Sequence, residues 1–493
     1  MGSMRFSSKA TRNYEEALHK LFNLQSNRTV TLGFERKAGL SPSAHARSDP
    51  NVAAIPEMLG WLQRAGYTPK DLISMQHIHV AGTKGKGSVC AYATSMLRNY
   101  RAVGTYTSPH LVSPRERIAI NGEPVTQDIF ARGFFEVWDR FTEAAREEGM
   151  EAEEAEGPAS KPFFFRYLTI LAWHIFLSQG VRDVVMECGI GGEYDATNVL
   201  PAEAVSAAVV TQLGLDHVSM LGGTVEKIAW HKAGIFKEGA VALTRRLEAR
   251  PAVMEVLRAR AREKGAVLVE LEDSQVDTWG GIGEGLADYQ KHNQALALMA
   301  VRHHLGMAAE PSTSFRDLPN KLSNGLRRTK FRGRAEILEI NGQLWHLDGA
   351  HTTDSLSEVA KWFAPKISTK ECAILIFNQQ ERDISMLLTS FISALSMASS
   401  RQDMFSHVLF TTNDLSQAKS GERRDTSVQV QAATTLRAIL PECETAIFDN
   451  LEDAVAEAKK LSNGKSKRQK VLVTGSMHLV GGVMRVLEPQ SLL

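Results

Sequence analysis

Cysteine is scarce in this chain: only positions 90, 188, 372 and 443 carry it among 493 residues, and no two are close enough for a CxxC pair. That excludes a disulfide-stapled secreted scaffold and a zinc ribbon. Long apolar runs are missing too. The stretch 170–177, broken by His174, falls far short of the ~18–20 residues needed to cross a bilayer, so no integral membrane segment is expected. Charge of one sign is equally absent. Lys plus Arg is 57 and Asp plus Glu is 56, a formal +1, which leaves no electrostatic footprint for nucleic-acid or membrane-surface binding. Hydrophobic residues reach 43% and charged residues 23%, so a chain of this length can bury one or more full cores. No signal-peptide h-region opens the sequence. Residues 1–14 carry Arg5, Lys9 and Arg12 among Ser and Thr with no acid, which reads as a polar N-terminus or as a weak transit peptide. The expectation is a cytoplasmic protein, with a mitochondrial pool as the alternative.

What is present is alternation. Strand-like runs and helix-length amphipathic runs follow one another almost from end to end, the pattern of α/β layers around a mostly parallel sheet. Ile55, Met58, Leu59 and Leu62 keep helical spacing, with Gly66 as the stop. The run 77–81 reads as a buried strand entering a Gly-rich turn, and a helix is predicted from Ser88 to about Tyr100. Further strands are predicted at 184–187 and 204–211, with Gly and Asp just past their ends, where open α/β sheets place ligands. Seven glutamates crowd 143–156 and read as a solvated loop or helix end. Composition changes at 324–330, after which Asn341-Gly342 marks a hairpin between 334–340 and 343–348. A helix at 354–363, strands at 372–377, 408–411, 446–448 and 471–474, and a helix at 451–461 complete a second, Rossmann-like α/β domain. Two domains are therefore expected, residues 1–330 and 331–493.

The sharpest motif is Gly82-Thr83-Lys84-Gly85-Lys86-Gly87-Ser88, set between a strand and a helix. Its glycines let the backbone wrap a polyphosphate, and the N–H groups of the helix start point at it. Lys86 can neutralise β- and γ-phosphate charge, and Ser88 offers a hydroxyl to Mg²⁺. Gly87 separates the lysine from the serine, a departure from the general P-loop spacing. Glu187 ends a strand before Cys188-Gly189-Ile190-Gly191-Gly192 and Asp195-Ala196-Thr197-Asn198; such a carboxylate serves a metal or caps a surface turn. His217, after Asp216, is a ligand or a hydrogen-bonded loop histidine. Ser108, before Pro109-His110, is a ligand or a turn residue.

Six ordered motifs spanning about residues 50–490 resemble the folylpolyglutamate synthase branch of the Mur ligase superfamily, with the eukaryotic form as the best likeness. They are 79–88; Ser108-Pro109-His110-Leu111 with Arg115-Glu116-Arg117-Ile118; Glu187 to Asn198; Leu215-Asp216-His217 with the run from Lys227 to Ile235; Leu347-Asp348-Gly349-Ala350-His351; and Val473-Thr474-Gly475-Ser476 with His478-Leu479-Val480-Gly481-Gly482. The resemblance implies a P-loop ATPase domain binding ATP and folate, followed by a smaller Rossmann-like domain that closes over ATP and binds glutamate. It implies ATP-dependent addition of L-glutamate to the γ-carboxyl of folate already carrying glutamate, through an acyl phosphate, in support of folate retention and one-carbon metabolism. Mg²⁺ and a monovalent cation would assist, and a monomer is expected. Carried over by motif, residues 82–88, Asn293, Arg334 and Asp348 would contact ATP. Ser88, Ser108, Glu187 and His217 would hold Mg²⁺, while Lys86, Lys232 and His351 would serve the chemistry. The lysine matching Lys232 can be carbamylated in this family; otherwise it is a helix-end lysine. Around Asn293 the usual Gly-x-His-Gln opening is replaced, with Ala287 and Tyr289 in those places.

Two rival readings accompany this one: dihydrofolate synthase, which joins the first glutamate to dihydropteroate, and a nucleotide-dependent switch that ligates nothing. The segment Phe163-Phe164-Phe165-Arg166-Tyr167-Leu168-Thr169, expected to precede a helix, bears on the first. It resembles the polyglutamate-extending form, because the dihydropteroate-using branch tends to carry an acid where Arg166 stands. Arg166 then contacts the anionic folate tail, or it is a surface cap.

Overall fold

The computed structural model describes residues 12–24, 51, 53–283, 286, 288–307, 315, 318–368, 371–380, 383–417, 424–463 and 469–489. Arg5, Lys9 and Ala287, which entered the sequence reading, lie outside the described residues. The chain divides into two units, residues 1–109 with 114–329, and 110–113 with 330–493.

The first unit is built on eight strands: β1 (Gln76–Ala81), β2 (Val103–Tyr106), β3 (Ile118–Ile120), β4 (Glu123–Pro124), β5 (Asp183–Glu187), β6 (Val205–Val210), β7 (Val241–Arg245) and β8 (Val267–Leu271). Their order is β4-β3-β2-β5-β1-β6-β7-β8, parallel from β2 to β8 with an antiparallel edge at β3 and β4. Every residue of β2 and β5 is buried, as expected where helices cover both faces of a parallel sheet. Helix Gln127–Glu147 starts where the Thr126 side chain accepts the N–H of Ile129, and Phe130, Phe134, Trp138 and Phe141 form its buried stripe. Helix Phe164–Ser178 is buried over most of its circumference, and the two share one aromatic core. The segment expected to precede this helix forms its start instead: the helix begins at Phe164, with Phe165, Tyr167 and Leu168 buried. The glutamate-rich stretch ends helix Gln127–Glu147 and forms the short helix Ala152–Glu156.

The second unit holds β9 (Glu336–Ile340), β10 (Gln343–Leu347), β11 (Ala373–Phe377), β12 (Phe405–Thr411), β13 (Glu444–Phe448) and β14 (Val471–Thr474), in the order β13-β12-β11-β14-β10-β9. Only β9 runs antiparallel, against β10. Asn341 and Gly342 both take positive φ, 51° and 73°, the type I′ turn that matches hairpin twist. Helices Thr353–Phe363, Ile384–Ser399 and Ser427–Ile439 pack in one core, and Leu451–Asn463 and Met477–Leu487 in another. The chain therefore changes face after β13, before it returns to form β14, and the crevice at the ends of β10, β14 and β11 is the switch point of this sheet. Residues 110–113 group with this unit rather than with the first, because Leu111 packs on its core. Leu111 side-chain atoms lie 3.0 Å from where a Cβ on Gly333 would stand, and its carbonyl covers Gly481 so closely that only glycine fits there.

Candidate active site

β1 runs into a loop that only glycine can make. Gly82 has φ +155° and Gly85, capping helix Lys86–Leu97, has φ +88°. A Cβ on Gly85 would stand 2.5 Å from Asn293 Oδ1. The other side of the loop is held by the segment after β6. Thr83 and Lys84 donate their backbone N–H groups to Gln212 O at 2.9 and 3.2 Å, and Thr211 Oγ1 donates to Lys84 O at 2.7 Å. Thr83 Oγ1 donates to Gly214 O at 3.0 Å.

Two lysines converge on this frame. Lys86 Nζ donates to Gly82 O at 3.0 Å and lies 3.9 Å from Glu187 Oε1. Lys232, at the end of helix Val225–Lys232 and 4% exposed, donates to the same carbonyl at 2.8 Å. Burial, reinforced by the Lys86 charge, pushes its ammonium down to about 7. Glu187, 3% exposed at the end of β5, accepts the Ser108 N–H at Oε2, 3.1 Å away. The same oxygen lies 3.9 Å from where a Cβ on Gly87 would stand, so the helix start faces the carboxylate. Ser88 lies in the first turn of that helix. Among the described residues no group of three or more His, Cys, Asp or Glu side chains is placed to hold a metal. A buried carboxylate facing the start of the helix after a Gly-rich loop is a hard-oxygen donor that leaves room for water and phosphate, which suits Mg²⁺ better than an all-protein cage does.

The turn after β5 is fixed from within. Asp195 accepts the Ile190 N–H at 3.0 Å, the Thr197 N–H at 3.0 Å and the Thr197 hydroxyl at 2.6 Å, while burial pushes its carboxyl up. His79 Nε2 meets Thr197 Oγ1 at 2.8 Å, tying β1 to this turn. The sequence reading missed this tie, as it missed Thr211; in each case a polar residue in a buried context was the available signal. His217 is exposed, with φ 48°, and its Nε2 lies 3.8 Å from Asp216 Oδ2.

Arg166 is placed differently. Its Nη1 donates to Glu57 at 2.5 Å, and both residues line a cleft of about 880 Å³ together with Trp61, Arg64, Lys161 and Phe163. None of the phosphate-loop residues lines it.

In the second unit Asp348, just past β10, accepts the Ala335 and Ala350 N–H groups at 2.8 and 2.9 Å. Burial pushes its carboxyl up, against the pull of Arg334. Arg334 is exposed. His351 Nδ1 lies 3.1 Å from Gly349 O, and its backbone N–H donates to Ser355 Oγ. Arg334, Asp348 and His351 thus share one edge of the switch-point crevice.

A family model described as "Dihydrofolate synthetase, C-terminal domain" matches residues 336–486. The folylpolyglutamate synthase of Neurospora crassa is 38% identical over 515 residues, covering 98% of this chain and 93% of its own. A probable folylpolyglutamate synthase of Schizosaccharomyces pombe is 38% identical over 509 residues, covering 97% and 95%. Among solved structures, Mycobacterium tuberculosis folylpolyglutamate synthase complexed with ADP and AMPPCP superposes with TM-score 0.66 at 25% identity, covering 88% of this chain and 95% of its own. With relatives of this identity matched over nearly their whole length, the chain belongs to the folylpolyglutamate synthase family.

Proposed function

We propose that this protein is an ATP-dependent ligase that adds L-glutamate to the γ-carboxyl of folate already carrying glutamate. The observation that carries the reading is the convergence of Lys86 and Lys232 on Gly82 O, opposite the buried Glu187 carboxylate. A lysine at a helix N-terminus, as Lys86 is, suits a transferring phosphoryl group. In the reaction a folate carboxylate oxygen attacks the γ-phosphorus of ATP and ADP leaves. The glutamate amine then attacks the acyl carbon, losing a proton as phosphate departs. Lys86 neutralises charge that builds on the phosphoryl oxygens, and the loop N–H groups hold them in place. Glu187, Ser108, Ser88 and His217 are the residues that would hold Mg²⁺, which when bound supplies further charge neutralisation at the phosphate oxygens. A monovalent cation belongs to the same reading. Lys232, buried and easily neutral, suits carbamylation, which would turn it into a further carboxylate. Asn293 would meet the adenine, while Arg334, Asp348 and His351 would serve phosphate, ribose and glutamate.

The names of the relatives support extension of a folate that already bears glutamate, whereas the family model that matches the second unit carries the name of the sister activity. A coupled ADP-release assay across dihydropteroate, tetrahydrofolate monoglutamate and diglutamate decides between them. Turnover with the two glutamates and almost none with dihydropteroate is the expected result. Robust ligation to dihydropteroate would transfer the assignment to dihydrofolate synthase, and ATP hydrolysis indifferent to folate and glutamate would make the protein a switch. Arg166→Ala should raise the KM for folate more than that for ATP if Arg166 meets the tail, by exchanging Glu57 for a substrate carboxylate. No helix among the described residues is long and apolar enough to cross a membrane. A monomer in the cytoplasm, with a mitochondrial pool as the alternative, retaining folates for one-carbon chemistry, completes the reading.

A further inference from the structure

Asn293 lies between two residues that are each clamped. On its N-terminal side His292, itself buried, directs Nδ1 at Asp288 O, 2.8 Å away, and Nε2 at Asp273 Oδ1, 3.0 Å away. Both partners are acceptors, so the ring is held from both of its nitrogens. Asp273 opens helix Asp273–Trp279 and is held in turn by Arg245 at the end of β7, whose Nε and Nη2 donate to its two oxygens at 2.6 and 2.5 Å. On the C-terminal side Gln294, 1% exposed, exchanges two hydrogen bonds with the backbone of Ile282: Nε2 donates to the carbonyl at 2.9 Å, and Oε1 accepts the N–H at 2.9 Å. The helix Asp288–His304 is therefore fixed in both height and rotation at a residue that reaches the loop. That residue reaches it closely, because Asn293 Oδ1 occupies the space a Cβ on Gly85 would need.

We infer that Asp273 is a positioning residue for nucleotide-base selection. Through His292 it holds the Asn293 amide where one donor and one acceptor can pair with the donor–acceptor edge of adenine, an edge that guanine presents with two acceptors. Arg245 orients Asp273 by a forked pair, which a single contact would not do. The inference rests on the reading that Asn293 meets the base. Lys86 itself is held by Gly82 O and lies beside Glu187, and neither Asp273 nor His292 is among those partners.

The test is steady-state kinetics of the full chain with ATP and with GTP, at saturating folate and glutamate. Asn293→Ala should cost at least tenfold in the preference for ATP over GTP. Asp273→Ala should raise the KM for ATP about five- to twentyfold, with kcat and the KM for folate within twofold, and should lower the ATP preference. Asp273→Glu should restore part of it. The double variant should be no worse than Asn293→Ala alone, since one residue acts through the other. A uniform loss of kcat with both nucleotides, or additive losses in the double variant, would reduce Asp273 to a structural ion pair and overturn the inference alone. An Asn293→Ala variant that keeps full ATP preference overturns the inference together with the reading beneath it. Should Asp273→Ala not fold, His292→Gln breaks the same link from the other side and is judged by the same ratios.

Discussion

Lys86 and Lys232 donate to one carbonyl oxygen, so each ammonium sits in the field of the other and only an anion relieves both. Removing one cation should cost transition-state stabilisation rather than fold. Lys86→Ala is expected to lower kcat/KM by a factor on the order of 10²–10⁴ with an unchanged thermal melt; wild-type turnover in that variant would end the assignment. Glu187→Gln and His217→Ala should each raise the Mg²⁺ concentration for half-maximal activity, and a titration against Mg²⁺ reads this directly. Lys232 makes a statement about pH as well. Its folded value near 7 lies below the ordinary lysine value of 10.5, so between these limits the unfolded chain binds the extra proton and stability rises with pH. The destabilisation is complete below about pH 7 and is relieved as pH climbs towards 10.5. Denaturant unfolding of wild type against Lys232→Met should show wild type gaining roughly 2 kcal/mol on the variant between about pH 7.5 and 9, at ~1.4 kcal/mol per unit for one proton. Equal pH dependence in the two would mean that the amine is already charged or already carbamylated. A ¹³C-bicarbonate NMR signal lost in Lys232→Ala would identify the carbamate.

At the scale of elements, the strand–loop–helix unit shows why part of this site can be read from sequence. Gly85 is needed twice, for φ +88° and for the approach of Asn293. Gly85→Ala should cost about 1–2 kcal/mol from backbone alone and raise the KM for ATP at least tenfold; a thermal melt and an ATP titration measure the two effects separately. Local chemistry of this kind, with buried β-branched residues before a Gly-rich turn, made β1, β5, β6 and the Asn341-Gly342 hairpin legible within a residue or two. The helix after the loop begins at Lys86 rather than Ser88 and ends at Leu97, before the expected Tyr100. Helices Ile384–Ser399 and Ser427–Ile439 escaped notice for different reasons. The first is apolar nearly all round, burying Leu387, Leu388, Phe391 and Leu395 yet exposing Met386 and Met397, so its period is blurred. The second is rich in Val and Thr, which favour strands until packing overrides them. The buried setting of Lys232 and the Asp273–His292–Asn293 line were not legible at all, because they depend on side chains brought together by the tertiary fold.

At the scale of the whole molecule, the chain divides at 329/330 but also lends residues 110–113 to the second unit. Leu111 lies against Gly333 and Val480, under which the glycine at 481 leaves no room for a side chain. The second unit is thus completed by a segment encoded more than two hundred residues upstream of it. Expressed alone, residues 330–493 lack that piece and should melt below the intact chain. Leu111→Asp in the intact chain should lower its melting temperature in the same sense, since it spoils the same packing. What looks like one boundary along the sequence is therefore three, at 109/110, 113/114 and 329/330, and a gene truncated at the last of them discards four residues that the second unit uses.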